Sequence, residues 1–230
     1  MNRLPSFRDS SGDTSRAAFS ASSRPRLVAV VAAALLATAC ASQPDRYYTL
    51  AAPPSVSASS PSNSAAPAAP VFVELAPVAL PERLARPQMV VRDNAAGAQV
   101  RILEQHRWSA SFEKELRDAL AAGVVARGGA IDVTKAARQN GQPVWRVAVQ
   151  LRDFDAVENS RVDASFGWTL RRSDAPRALH CHWQGSEAAI GGIDSLALGA
   201  QRITSRAAEA IARQIASLQA DPAAACLPAA

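Results

Sequence analysis

The sequence predicts an α+β fold in two layers, a mostly antiparallel mixed sheet with two amphipathic helices packed on it. Three observations carry this expectation. Residues 145–151, 162–170 and 179–183 alternate apolar and polar side chains with a period of two, as strands with one buried face do. Trp108, Phe112, Leu116, Leu120 and Val124 recur every four residues, and Leu196, Ala200, Ile203, Ala207, Ile211, Ile215 and Leu218 trace a second helical stripe. After Cys40 no apolar run approaches the roughly 20 residues of a membrane-spanning helix, so the apolar residues are there to build a core.

Residues 1–39 read as a leader and signal peptide, outside the fold. Arg24 and Arg26 precede thirteen uncharged, mostly apolar residues from Leu27 to Ala39, a charged n-region and an h-region too short to span a bilayer. The Ser-rich stretch 1–23, with Arg3, Arg8 and Arg16, is long for an n-region and reads as a translated leader upstream of the real start. Leu36-Ala37-Thr38-Ala39-Cys40 resembles a bacterial lipobox. Its chemistry needs a cysteine, because the thiol takes a diacylglyceryl group as a thioether, so Cys40 is the candidate lipidation site. Ala37-Thr38-Ala39 also fits the A-x-A of ordinary signal cleavage, which would leave Cys40 as a free first residue.

Five of the 25 basic residues and two of the 20 acidic ones precede Cys40, leaving 20 and 18. That near balance gives no argument for nucleic acid binding; the basic pI belongs largely to the leader. The remaining 191 residues suffice for one domain.

Residues 40–70 are expected to form a tether with a short strand at Tyr47–Leu50 and a loop built almost wholly of Ala, Pro and Ser. If that strand joins the sheet, about seven residues separate a lipid from the fold, at most ~25 Å. The globular domain occupies 71–220, and 221–230 is a tail. Strands are expected at Val71–Leu75, Gln88–Arg92 and Gln99–Leu103, with a turn at Asp93–Gly97. Trp108 leads into the first helix, which Ser109 or Ser111 caps and Gly128-Gly129 ends, with Glu113, Lys114, Arg117 and Asp118 outward. A short strand at Ile131–Val133 and the three-strand meander follow. The last helix runs from about Asp194 to Gln219, capped by Asp194 or Ser195.

Little of this carries catalytic chemistry, and no cofactor fingerprint is present. In His180-Cys181-His182 a strand would point the cysteine away from both histidines, so the three cannot converge on a metal. Asp153, Asp155, Glu158 and Asp163 cluster around an expected hairpin turn without the spacing of a calcium loop. Gly185-Ser186-Glu187 is not a nucleophile elbow. A hydrolase would need a pocket uniting His106 or His180 with a nucleophile and an acid. Cys181 and Cys226 are a candidate disulfide in an oxidising compartment; otherwise Cys181 is a small core residue and Cys226 a loose thiol.

The chemically distinctive stretch is residues 80–92, LPERLARPQMVVR. It joins a proline-stiffened backbone to arginines and apolar groups, a combination common in interfaces. Pro81, Arg83, Arg86, Pro87, Gln88, Met89 and Arg92 are the candidate partner-binding residues. A rigid crossover whose arginines pair with nearby carboxylates fits the same residues.

The order of lipobox, Tyr47-Tyr48-Thr49-Leu50, Arg86-Pro87-Gln88-Met89-Val90-Val91-Arg92 and Arg107-Trp108 resembles the ABC-type transport auxiliary lipoproteins (PqiC-like), from Cys40 to about Gln219. The resemblance implies an outer-membrane lipoprotein, carrying palmitate-type chains and facing the periplasm. It would dock an MCE-domain protein of an intermembrane lipid transport system without catalysing anything. Ala41 after the cysteine, rather than aspartate, favours outer-membrane sorting. Ring-shaped MCE partners make a homo-oligomer compatible with the resemblance. The alternative class is a general envelope-integrity or assembly lipoprotein with no transporter partner.

Overall fold

The computed structural model describes residues 43–52, 70–136 and 141–228. Everything below lies in the unit from Pro44 onward; Cys40, the leader and most of the Ala/Pro/Ser loop fall outside the described residues.

One long strand organises the sheet. β6 (Val144–Val157) pairs antiparallel with β7 (Ser160–Arg172), which pairs antiparallel with β8 (Ala178–Ala189). Along its other edge β6 meets two segments in succession. β2 (Phe72–Leu75) runs parallel to residues 144–147, Ala79 bridges to Gln150, and β3 (Gln88–Arg92) closes the series at Arg92 against Val157. β5 (Ile131–Asp132) flanks β2 in parallel, β4 (Val100–Trp108) flanks β3 antiparallel, and β1 (Arg46–Tyr48) pairs parallel with β4. The result is an eight-stranded mixed sheet.

The alternation falls as the sequence predicts. Trp145, Val147, Val149 and Leu151 are buried while Arg146, Ala148, Gln150 and Arg152 are exposed. A bulge between Leu151 and Asp153 then shifts the phase, so that Phe154 and Ala156 face the core. β6 thus carries Asp153 and Asp155 as strand residues, and the expected hairpin turn falls inside the acidic cluster, between Asp155 and Asp163. The turn is Glu158-Asn159, with Asn159 at φ 54°, a left-handed conformation that asparagine tolerates.

α1 (Phe112–Gly128) starts at Ser111, whose side chain accepts from the Lys114 N–H at 3.4 Å, and ends at Gly129 with φ 58°. Phe112, Leu116, Leu120 and Val124 form its buried stripe. Trp108, expected on that stripe, is instead the last residue of β4, its ring 5.3 Å from Phe112. α2 (Ile193–Ala220) buries every residue of its expected stripe. Its cap is the backbone of Gly192; Asp194 lies in the first turn and does not cap. The buried sides of both helices join the apolar face of β3, β6, β7 and β8 in one core. Cys181 of β8 and Cys226 of the tail form a disulfide, with their Cα atoms 5.6 Å apart.

Candidate docking site

The segment from Pro81 to Arg92 lies along β6 because its own backbone turns tightly. Pro81 opens a short 3-10 turn, Glu82–Leu84, closed by Leu84 N–H donating to the Pro81 carbonyl at 2.9 Å. Leu84 is buried and pins the turn to the core. Arg83 is exposed and donates to Asp153 Oδ1 at 2.9 Å and to the Phe154 carbonyl at 3.3 Å. Arg92 grips both oxygens of Asp155 at 3.0 Å and the Gly97 carbonyl. Both arginines are therefore committed to carboxylates of the bulged end of β6. The exposed Arg83 pair contributes about 0–1 kcal/mol; the Arg92 pair is half-buried.

The remaining residues divide. Met89, expected on an exposed face, is 2 % exposed and belongs to the core, because it stands on the inward side of β3. It is corrected from contact residue to packing residue. Gln88 is half-buried and donates to Glu104 Oε2 at 3.2 Å. Pro87 is exposed, and its carbonyl accepts from the Trp108 N–H at 2.7 Å. Arg86 is half-buried, its Nε has no hydrogen-bond partner, and it makes no ion pair among the described residues. Sequence reasoning grouped these arginines; the structure singles out Arg86.

Next to this segment, β1 is held by residues the sequence did not mark for it. Tyr48 Oη donates to Asp194 Oδ1 at 2.7 Å and lies 2.8 Å from His106 Nδ1, with the two rings stacked. Burial, then the hydrogen bond and charge of Asp194, push the phenol up to about 12. It stays protonated at neutral pH and so braces the strand as a donor. Glu115, on α1, accepts from the Thr49 hydroxyl and the Leu50 N–H, both at 2.9 Å, and from Ser109. Gln201, on α2, donates to the Thr49 carbonyl at 2.8 Å. Apart from Ser109, which is six residues from Glu115, these partners lie 58 to 152 residues apart, beyond any local sequence signal. Glu113, expected to be outward, accepts from the Val78 N–H at 3.1 Å. The free edge of β1 carries Tyr47, 62 % exposed.

His180 and His182 project from the uncovered face of the sheet, with His180 Nδ1 2.9 Å from Thr169 Oγ1. Cys181 points the other way, into its disulfide, and supplies no ligand.

No curated protein matches the chain. Among solved structures, an uncharacterized protein superposes with a TM-score of 0.57 at 18% identity, covering 75% of this chain and 99% of its own. Protein XCC0632 from Xanthomonas campestris gives a TM-score of 0.50 at 14% identity, covering 66% and 92%. Both are similar in fold. The family model described as the ABC-type transport auxiliary lipoprotein component matches residues 48–212. That span starts at the braced Tyr48 and includes the whole Pro81–Arg92 segment, so the chain belongs to the ABC-type transport auxiliary lipoprotein family.

Proposed function

We propose that this chain is a lipid-anchored, non-catalytic docking subunit of an intermembrane lipid transport system. It is stationed in the outer membrane through Cys40 and meets an MCE-domain partner through the 81–92 segment. The observation that carries the docking assignment is Arg86. It is a guanidinium without a counter-charge among the described residues, on a proline-flanked backbone whose neighbouring arginines are already paired. A rigid segment offering one uncompensated cation and the exposed Pro87 loses little entropy on binding and gains a charge pair.

The anchor fits this geometry. β1 is docked, so the six steps from Cys40 to Arg46 reach at most roughly 20 Å and keep the domain close to the bilayer. Each buried acyl methylene contributes about 0.8 kcal/mol, so several long chains hold it firmly.

Two variants test the reading separately. Arg86→Glu is expected to lower recovery of the MCE partner in pull-down at least tenfold while the protein stays folded and membrane-bound. Unchanged recovery removes this segment from the interface. Cys40→Ser is expected to shift the protein from the outer-membrane pellet to the soluble envelope fraction. An unchanged pellet removes the anchor.

A further inference from the structure

We infer that the groove beneath the C-terminal end of α2 binds a single-chain anionic amphiphile of the fatty-acid class. The groove encloses about 280 Å³ between the β7–β8 turn, Leu218 of α2 and Pro222 of the tail. Its walls are apolar: Trp145, Leu170, Leu179 and Leu218. A second hollow of about 380 Å³ shares Trp145 and Arg172 and continues towards Pro70 and Gln219. At about 280 Å³ the groove lies close to the lower end of the roughly 300–1,000 Å³ of small-molecule sites, which are apolar with a few convergent polar groups.

The rim decides the sign of the ligand. Arg172 is balanced by Asp174 at 2.9 Å. Arg177 donates to the carbonyls of Pro222 and Ala224 and has no carboxylate partner among the described residues. Carbonyls satisfy its donors without cancelling its charge, so the mouth keeps a net positive charge beside an aliphatic channel. A carboxylate head at Arg177 with its chain along Trp145 and Leu218 satisfies both. A cationic or uncharged head does not. The Cys181–Cys226 disulfide and the Arg177 bonds fix the tail that forms one wall, so the groove is preformed.

The test uses the full chain carrying Cys40→Ser, so that no acyl group of its own competes, in detergent-free buffer. Dodecanoate, dodecanol and dodecyltrimethylammonium are titrated below their micellar concentrations, with calorimetry and tryptophan fluorescence as readouts. Dodecanoate is expected to bind saturably at one per chain, at least tenfold tighter than the other two. Ala175→Trp, which fills the groove from the turn, is expected to weaken binding at least tenfold with the circular dichroism spectrum and Tm retained. Arg177→Gln is expected to erase the preference for dodecanoate over dodecanol. Absence of saturable dodecanoate binding, or binding unchanged by Ala175→Trp, overturns the site. Equal affinity of the wild type for all three amphiphiles overturns the anionic class. The assay involves neither transporter nor anchor, so its failure leaves the docking proposal standing.

Discussion

Tyr48 fastens the N-terminal segment to the body of the fold, since a strand of three residues has few ladder bonds of its own. Its hydroxyl ties β1 to β4 through His106 and to α2 through Asp194. Removing it in Tyr48→Phe is expected to cost about 1–2 kcal/mol, the usual worth of a hydrogen bond to a charged group at a half-buried site. The pH dependence has a definite sign. Burial and Asp194 push the folded phenol up to about 12, above its ordinary value of 10.0, so the unfolded chain releases this proton first. The stabilisation is whole below pH 10 and fades as pH climbs towards 12. Urea midpoints at pH 8, 10 and 11 should therefore fall more steeply for the wild type than for Tyr48→Phe. Parallel curves would mean that the phenol is not held as described. The sequence shows Tyr48 as a strand residue; nothing local could name His106 or Asp194 as its partners. For Arg83, Arg86 and Arg92 the sequence likewise shows three similar cations. Only the bulge that turns Asp153 and Asp155 towards two of them tells them apart.

Helices and strands were legible where one period runs unbroken. The α2 stripe, the α1 stripe from Phe112 and the early phase of β6 all follow from spacing, because burial repeats with the element's own period. The period fails at the bulge after Leu151, where one extra residue inverts the facing, and at Trp108, whose spacing suits a helix although it closes a strand. Helix–helix distance is also invisible in a stripe. It is set by Gly123, where an added Cβ would stand 2.6 Å from the Ala208 Cβ. Helix propensity alone favours Gly123→Ala by about 1 kcal/mol. Overpacking opposes it by about 1–3 kcal/mol, and with so close an approach the clash should win, for a net loss of about 1–2 kcal/mol. Gly128→Ala is the matched control, because its Cβ would meet Ala212 at an ordinary 3.6 Å. It should be neutral or stabilising by up to about 1 kcal/mol. Denaturant unfolding of the pair separates propensity from packing; equal shifts would show that α1 and α2 do not touch at Gly123.

At the scale of the molecule, the sheet order could not be read from the chain. β2 and β6 are consecutive neighbours in space but lie about seventy residues apart, and β6 shares one edge between β2 and β3. Closure of the other side depends on the tail. Residues 221–228 fold back to β8 through Cys226, and buried Gln214 holds them by donating to the Ala225 carbonyl at 3.0 Å and accepting from the Leu227 N–H at 2.7 Å. The disulfide closes a loop over a separation of 45 residues, spanning part of β8 and all of α2. Restricting the unfolded chain over a loop of that length stabilises the fold by up to about 4 kcal/mol in the chain-entropy account. The core of β6, β7 and both helices does not need the bond to pack, so Cys181→Ser/Cys226→Ser should fold and keep its circular dichroism spectrum. Its urea midpoint should fall, and the wild type in reductant should fall to the same value. If the oxidised, reduced and double-variant curves superimpose, the tail contributes no stability through this link, and α2 is held by its apolar stripe alone.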